Sequence, residues 1–329
     1  MTRICLRLTI AGALLASLLP ATPSQAQFSK SWIASSGTNG FDGNPCTLAF
    51  PCATLQHAHD VTPAGAEIGI LNAGDYGQVF ITKSIFITND GAGEAGIFTT
   101  SAGFGVAVRI NAGSGDIIGL RGLVMEGAVA QNAGLTFFNG SALHVQNCVI
   151  KNFEGNQGGL VFQPIGNSQL FISDTIIFNN GSAANTGGII IRPLGSGIAN
   201  VVLDRLHLEN NVIGLQLDAT LTSGANGIHA VLRDSVISGN AGDGISVITQ
   251  AGNPPAFLLV DRSSTVNNAG NGIVANGPGA TVLLKDSTIT RNGAGVSTVN
   301  SGQLISYGNN RNNNNIGPEG VATSMYTRF

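Results

Sequence analysis

The sequence predicts an all-β protein, a right-handed parallel β-helix of about eight coils with a capping helix at its N-terminal end. Two observations predict this fold. The chain has 329 residues, of which 46 are glycine, and only 10% are charged. A disordered chain is richer in charge, and glycine destabilises helix interiors. In addition, an aspartate is followed six residues later by an asparagine in one segment after another, which marks an internal repeat.

Five aspartates anchor the clearest copies of this repeat. The pairs are Asp174 with Asn180, Asp204 with Asn210, Asp234 with Asn240, Asp261 with Asn267, and Asp286 with Asn292. Successive anchors are 30, 30, 27 and 25 residues apart. Short runs of alternating apolar residues, bounded by Gly and Asn turns, lie between them. A unit of this length without a helical pattern suits one three-strand coil of a solenoid.

Stacking of the coils predicts ladders of equivalent residues. Neighbouring coils pair in parallel at about 4.8 Å, so we expect the five aspartates to form one ladder and the five asparagines another. Both are interpreted as structural features of the turns. Stacked carboxylates repel one another, so backbone amides or the adjacent cations should compensate them. These cations are Arg205, Arg233, Arg262 and Lys285. A calcium ion along the edge is the alternative.

The same register predicts which apolar residues face the core. Residues two places before each aspartate, and before Asn147, which anchors a weaker copy of the repeat, should point inward: Val145, Ile172, Val202, Leu232, Leu259 and Leu284. Residues three places before it should point outward: Phe171, Val201, Val231, Leu258 and Leu283. An outward apolar row would need to be covered by loops or by a partner.

The N-terminal segment has the pattern of an export signal. Residues 1–26 combine basic residues, a short apolar run and a small-residue cleavage site after Ala26, which predicts a periplasmic or extracellular protein. Residues 27–78 are predicted to form the N-terminal cap, residues 79–306 the coils and residues 307–329 a C-terminal cap. Residues 54–61 should form the capping helix, with Leu55, Ala58 and Val61 on its buried face.

The cysteines and the charge suggest the environment of the chain. Cys46 and Cys52 bracket a short loop, and we expect them to pair in an oxidising compartment. Cys148 lies in an apolar stretch and is interpreted as a buried, inert thiol. The net charge is −3, and loss of the two signal arginines makes it −5, which argues against a nucleic-acid partner. After the signal, no run of 18 apolar residues predicts a transmembrane segment.

The coil pattern V-x-[DN]-S-x-I-x-x-N, followed by G-I-x-V, resembles the right-handed β-helix repeats of the pectin-lyase-like superfamily. The segment N-P-C-T-L-A-F-P-C-A-T-L-Q is similar to the N-terminal cap of small exported bacterial β-helix proteins of unassigned activity. The resemblance implies the fold over nearly all of the mature chain. It implies no single activity, because the superfamily contains lyases, glycosidases, esterases, epimerases, tailspikes and adhesins. The motifs typical of its pectate lyases, polygalacturonases and pectin esterases are absent from this sequence.

Two groups of polar residues are candidates for function. Arg205, His207 and Glu209 alternate along one strand and could supply a cation, a base and a carboxylate for catalysis; the alternative is a solvated face. Gln163, Arg192 and Asp218 stand at equivalent positions in three successive coils and are candidates for ligand binding. Here the alternative is a simple Arg192–Asp218 ion pair.

Three functions are consistent with the sequence. A non-catalytic exported module that binds extracellular polysaccharide or has a structural role leads, because no catalytic motif is present. The alternatives are a divergent polysaccharide lyase or glycoside hydrolase acting on an acidic glycan, and a tailspike-like trimeric adhesin. No cofactor is predicted other than the possible calcium. Only Trp32, Tyr76, Tyr307 and Tyr326 provide Trp or Tyr rings, which speaks against a deep sugar-binding groove.

Overall fold

The computed structural model describes residues 30–99, 105–128 and 132–326, and the predicted signal segment lies outside these ranges. One helix, α1, spans Leu55–Val61. The strands are, in chain order, β1 (Lys30–Ile33), β2 (Glu67–Ile70), β3 (Gly74–Asp75), β4 (Val79–Ile81), β5 (Ile85–Thr88), β6 (Ala95–Thr99), β7 (Val106–Asn111), β8 (Ile117–Arg121), β9 (Leu123–Gly127), β10 (Ala133–Asn139), β11 (Ala142–Gln146), β12 (Val149–Lys151), β13 (Gly158–Phe162), β14 (Asn167–Ser173), β15 (Ile176–Phe178), β16 (Gly187–Ile191), β17 (Ile198–Asp204), β18 (His207–Glu209), β19 (Ile213–Asp218), β20 (Ile228–Arg233), β21 (Val236–Ser238), β22 (Ile245–Ile248), β23 (Ala256–Asp261), β24 (Ser264–Val266), β25 (Asn271–Asn276), β26 (Ala280–Lys285), β27 (Thr288–Thr290), β28 (Ala294–Val299), β29 (Gln303–Ser306), β30 (Arg311–Asn312) and β31 (Ser324–Met325).

The strands form three parallel sheets, named here A, B and C. Sheet A has the order β1-β2-β5-β8-β11-β14-β17-β20-β23-β26-β29-β31. Sheet B has the order β3-β6-β9-β12-β15-β18-β21-β24-β27-β30, and sheet C the order β28-β25-β22-β19-β16-β13-β10-β7-β4. From β2 to β28 the chain passes from sheet A to B to C and begins again, so each circuit is one coil. This parallel β-solenoid confirms the predicted fold class. Among the described residues, no helix is long and apolar enough to cross a membrane.

The interior of the solenoid is one continuous apolar core. In sheet A its central column contains residues that pair in register and are all buried: Val145, Ile172, Leu203, Leu232, Val260 and Leu284. Val202 and Leu259, which we predicted to face inward, lie instead on the outer face, while Val201 and Leu258 are buried. The predicted register is therefore wrong by one residue in these two coils and correct in the coils of Ile172, Leu232 and Leu284.

Burial of leucine explains this displacement. In the coil that contains β17 and β18, Leu203, Leu206 and Leu208 are all fully buried. Aligning Asp204 with Asp174 would point these leucines outward, because a one-residue slip moves each strand side chain to the other face. The strand instead pairs Asp204 with Ser173, and Arg205 takes the place that Asp174 has in the coil before.

The asparagine ladder is displaced in the same two coils. The buried ladder consists of Asn180, Asn211, Asn240, Asn268 and Asn292, so Asn210 and Asn267 do not belong to it. These two residues have left-handed backbone angles, with φ of 53° and 57°. Asparagine tolerates this conformation. In each coil the first asparagine, Asn210 or Asn267, therefore forms the turn, and the second, Asn211 or Asn268, belongs to the ladder.

Each ladder residue joins three coils by hydrogen bonds. The Oδ1 atom of Asn268 accepts from the backbone N–H and the side-chain amide of Asn240, at 3.1 and 2.7 Å. The side-chain amide of Asn268 donates to Ile237 O at 3.2 Å and to Asn292 Oδ1 at 2.8 Å. Buried polar groups need such partners, so the ladder holds the turn between sheets B and C closed.

Replacing Asn268 by alanine should therefore destabilise the protein by about 1–3 kcal/mol, because the amides of Asn240 lose a buried acceptor. The control is Asn267→Gly, which keeps the left-handed turn of the exposed neighbour and removes no ladder bond. The free energy of unfolding in urea distinguishes the two variants. Equal losses would show that the buried ladder has no special role.

The cysteines lie as the sequence predicts. Cys46 and Cys52 form a disulfide with a Cα–Cα distance of 4.7 Å. Cys148 is a buried free thiol, and burial raises its pKa to about 11. It is therefore protonated at neutral pH and a poor nucleophile.

Helix α1 begins after Thr54, whose hydroxyl accepts from His57 N. Leu55 and Ala58 are buried, as predicted, but Val61 is exposed and His59 takes the third buried position. His59 Nε2 accepts from the backbone N–H of Thr82 at 3.3 Å, and Nδ1 lies 3.0 Å from Asp60 Oδ1. This arrangement requires a neutral ring, because a protonated Nε2 cannot accept a hydrogen bond. The roles of the flanking segments as caps remain predictions.

Acidification should destabilise the protein through His59. Burial lowers the pKa of His59 below its ordinary value of 6.5, so just below pH 6.5 the unfolded state binds more protons than the folded state. The stabilisation is present above pH 6.5 and is lost as the pH falls towards the folded-state value. The decrease in Tm between pH 7.5 and 5.5 should be smaller in His59→Gln than in the wild type. His57→Gln serves as the control, and an unchanged decrease in His59→Gln would contradict this origin.

Candidate binding face on sheet A

The outer face of sheet A has a central row of mainly apolar side chains, named here the central stripe. In register it contains Phe86, Gly119, His144, Phe171, Val202, Val231, Leu259, Leu283 and Ile305. Most of these side chains are half-buried, and Phe86 is 40% exposed. The stripe runs along the solenoid axis, across all the strands that contribute to it.

Two columns of residues with alternating charge lie side by side along one edge of the central stripe. Together they are named the charged border. The column next to the stripe contains Gln146, Ser173, Asp204, Arg233, Asp261 and Lys285. The column beyond it contains Asn147, Asp174, Arg205, Asp234, Arg262 and Asp286, all with left-handed backbone angles. The single aspartate ladder that we predicted is therefore wrong, because the one-residue displacement puts an arginine between successive aspartates.

Ion pairs connect the two columns of the border. Arg205 makes a two-point contact with Asp174, from Nε to Oδ1 at 2.6 Å and from Nη2 to Oδ2 at 2.8 Å, and Nη1 contacts Asp204. Arg233 Nε donates to Asp204 at 2.7 Å. The hydrogen bonds from Arg205 hold the pKa of Asp174 below its usual value. Arginine thus compensates the carboxylates here.

The same arrangement recurs two coils further along. Arg262 contacts both oxygens of Asp234 at 2.8 Å, and its Nη1 lies 2.7 Å from Asp261. Lys285 Nζ lies 3.3 Å from Asp261. Arg262 holds the pKa of Asp234 below its usual value. The border therefore contains two clusters of compensated charges, one around Arg205 and one around Arg262.

A shallow cavity of about 270 Å³ lies where the stripe meets the border. Its lining includes His144, Phe171, Val202, Ser173 and Arg233. The rings of His144 and Phe171 are stacked, with centroids 4.7 Å apart and an angle of 10° between their planes. Burial lowers the pKa of His144, so this ring is neutral at pH 7 and behaves as an aromatic surface.

Two other rings lie across glycines of the same face. A Cβ atom added at Gly119 would come within 2.4 Å of Phe86 Cδ1, and one added at Gly69 within 2.7 Å of the Trp32 indole. The missing side chains thus let the rings approach the sheet. Lys30 Nζ lies 4.4 Å from the Trp32 ring centroid. The small number of Trp and Tyr residues in the sequence did not reveal this aromatic surface, because Phe and His supply most of its rings.

The structure does not bring the three catalytic candidates together. His207 and Glu209 lie on β18 in sheet B, where His207 Nδ1 is 3.0 Å from Glu209 Oε1 and both side chains are largely solvated. The guanidinium of Arg205, at the preceding turn, is bound to Asp174 and Asp204. A catalytic site needs a free group aimed at a substrate, and this arginine is already paired.

The second group of candidates lies at the ends of β13, β16 and β19, in sheet C. With the Gln163 amide oriented so that its oxygen faces Arg192, Nε and Nη2 of Arg192 donate to it at 3.1 and 2.8 Å. Asp218 accepts instead from the backbone N–H and the hydroxyl of Thr220, at 2.9 and 2.6 Å. The alternative of an Arg192–Asp218 ion pair is thus replaced by a Gln163–Arg192 contact.

One group of His, Cys, Asp and Glu side chains within the described ranges is close enough to share a metal ion: Cys46, Cys52 and His57. Its two sulfurs form the disulfide, so they are not available as thiolate ligands.

No protein-family model matches this chain, and no curated protein matches its sequence. Several solved structures are similar to it. The pectate lyase Pel9A covers 88% of this chain and 80% of its own, at 11% identity and a TM-score of 0.49. A GH136 lacto-N-biosidase from Eubacterium ramulus covers 90% and 67%, at 12% and 0.48. The pectin methylesterase PemA from Erwinia chrysanthemi covers 79% and 78%, at 13% and 0.43. At these identities the likeness concerns the fold alone.

Asp204 should be the most sensitive member of the charged border. Its side chain is 8% exposed and pairs with Arg205 and Arg233, whereas the side chain of Asp174 is 37% exposed. Asp204→Asn should cost about 1–2 kcal/mol, because a buried charge-assisted acceptor is weakened. Asp174→Asn should cost less than about 1 kcal/mol, as for exposed ion pairs. Chemical denaturation of both variants measures the difference, and a greater loss in Asp174→Asn would contradict this assignment.

Proposed function

We propose that this chain is an exported, non-catalytic β-helix module that binds an extended polysaccharide along the outer face of sheet A. The observation that carries the proposal is the central stripe, a row of rings and aliphatic groups bordered by polar groups. The predicted signal segment and the disulfide support export.

The two parts of the face suit the two surfaces of a sugar. The C–H face of a pyranose ring is apolar and packs against flat rings, such as those of Phe86, His144 and Phe171. The hydroxyl groups at its edge need donors and acceptors, which Gln146 and Ser173 present beside the stripe. Concave sites of this kind combine an apolar floor with a few polar groups that orient the ligand.

The repeat of the solenoid suits a polymer better than a single sugar. Phe86, Gly119, His144 and Phe171 occupy consecutive coils, so the stretch covers about 14 Å at the usual strand spacing. The coil spacing is similar to the length of one sugar unit in an extended glycan. A chain lying along the axis would therefore meet comparable contacts at each step.

Within the described part of the chain, the candidate reactive groups are not brought together at one site, which favours binding over catalysis. Arg205 is held by two aspartates, and the His207–Glu209 pair lies on another sheet. Cys148 is buried and protonated at neutral pH. The enzyme alternatives need a base and an acid beside the bound glycan, and Asp204 is the one carboxylate in the cavity lining.

Phe171→Ala should weaken binding to a recognised polysaccharide about tenfold, since a ring contact worth up to about 1.5 kcal/mol is lost. The matched control is Phe178→Ala, because Phe178 belongs to the same coil and is also half-buried, but lies on the outer face of sheet B. Affinity electrophoresis against a panel of soluble polysaccharides, followed by calorimetry, measures both variants.

Equal effects of the two substitutions would contradict binding on sheet A. Release of reducing ends or unsaturated sugars that is lost in His207→Ala would establish the enzyme alternative instead. Sedimentation of the same samples addresses the third alternative: a trimer that dissociates in Phe171→Ala but not in Phe178→Ala would assign the central stripe to a subunit contact.

A further inference from the structure

We infer that the binding face on sheet A selects uncharged polysaccharides over polymers of uronic acids. This inference rests on the proposed function and names its ligand class. It is carried by the state of the cations in the charged border, which are engaged with carboxylates of the same border.

The cations of the charged border are each paired within the fold. Arg205 and Arg262 each contact two aspartates, and Arg233 and Lys285 pair with Asp204 and Asp261. The cations near the N-terminal end of sheet A are also paired with carboxylates. Arg121 Nη2 lies 3.2 Å from Asp90, and Lys30 Nζ lies 2.8 Å from Glu67.

The charge balance of the border disfavours an anionic ligand. Asp174, Asp204, Asp234, Asp261 and Asp286 contribute five negative charges. Arg205, Arg233, Arg262 and Lys285 contribute four positive charges, so the net charge is −1. A uronate carboxylate would meet the part-exposed oxygens of Asp174 and Asp234, which are each 37% exposed. To make a two-point contact with Arg205 or Arg262 it would have to displace an aspartate and leave that charge without its partner, which selects against anions.

An uncharged sugar avoids this cost. A hydroxyl group both donates and accepts hydrogen bonds, so it can donate to an outer aspartate oxygen and accept from an arginine N–H without breaking the ion pair. Since the border alternates in charge from coil to coil, donors and acceptors alternate along the path of the polymer. The central stripe adds ring contacts that do not depend on ligand charge.

The experiment compares the wild-type protein on uncharged and acidic polymers of matched size. The probes are soluble xylan, galactan and mixed-linkage glucan on one side, and polygalacturonate and alginate on the other, at low and high salt. We expect at least one uncharged polymer to bind about tenfold or more tightly than either acidic polymer, a difference that calorimetry resolves. Added salt should weaken binding of the preferred polymer little.

A charge variant then tests the cause of this preference. Asp174→Asn/Asp234→Asn removes two exposed carboxylates, and asparagine is compatible with the left-handed backbone because Asn147 already occupies that column. The ratio of affinity for polygalacturonate to affinity for the best uncharged polymer should rise about tenfold, because two negative charges that repel the uronate carboxylates are removed. The rise should diminish with salt.

The control is Glu126→Gln/Glu154→Gln, which makes the same change in net charge away from sheet A and should leave this ratio unchanged. Thermal melting verifies that both doubles fold, and Asp174→Asn alone replaces the double if it does not. Tighter wild-type binding to an acidic polymer, or an unchanged ratio in the sheet A double, would overturn the ligand class while leaving the binding face intact. If no polymer of either kind binds, the proposed function itself is wrong.

Discussion

In-register parallel stacking is the constraint on which the rest of this structure depends. Every residue of a coil lies about 4.8 Å from its equivalents in the next coils, so one-dimensional sequence becomes columns of side chains. A column of leucines is a core, a column of asparagines is a hydrogen-bonded ladder, and a column of like charges would be unstable. The structure avoids this instability by placing Arg205 between Asp174 and Asp234. Register, burial and charge therefore depend on one another.

This dependence of register on burial and charge explains which parts of the fold could be predicted from the sequence. The six-residue interval predicted the solenoid correctly, because it separates two turns of one coil. It could not decide the register in two coils, since Asp204-Arg205 is followed by Asn210-Asn211, and Asp261-Arg262 by Asn267-Asn268. Either member of each pair gives an interval of six. Only the burial of Leu203, Leu206 and Leu208 distinguishes the two alignments, and that depends on packing against other coils.

The candidate site was harder to predict than the fold for a related reason. The sequence draws attention to residues that are close along the chain, such as Arg205, His207 and Glu209, which the fold distributes between a turn and sheet B. The central stripe is instead assembled from residues 22 or more positions apart, such as His144 and Phe171. None of them stands out in its own segment. A correct register in every coil would have shown both the stripe and the alternation of charge beside it.

The charged border also explains how an apolar row can remain on a stable outer face. Arg205 and Arg262 adopt left-handed backbone angles with φ of 51° and 46°, which costs roughly 1–2 kcal/mol for a residue with a side chain. Their two-point contacts with aspartate offset part of this cost, and they keep long side chains fixed beside the stripe. The polar rim is thus ordered before a ligand arrives, so binding need not order it again. The same ion pairs that hold the coils in register would therefore make the face rigid, and a rigid face with satisfied charges favours ligands that add contacts without exchanging partners.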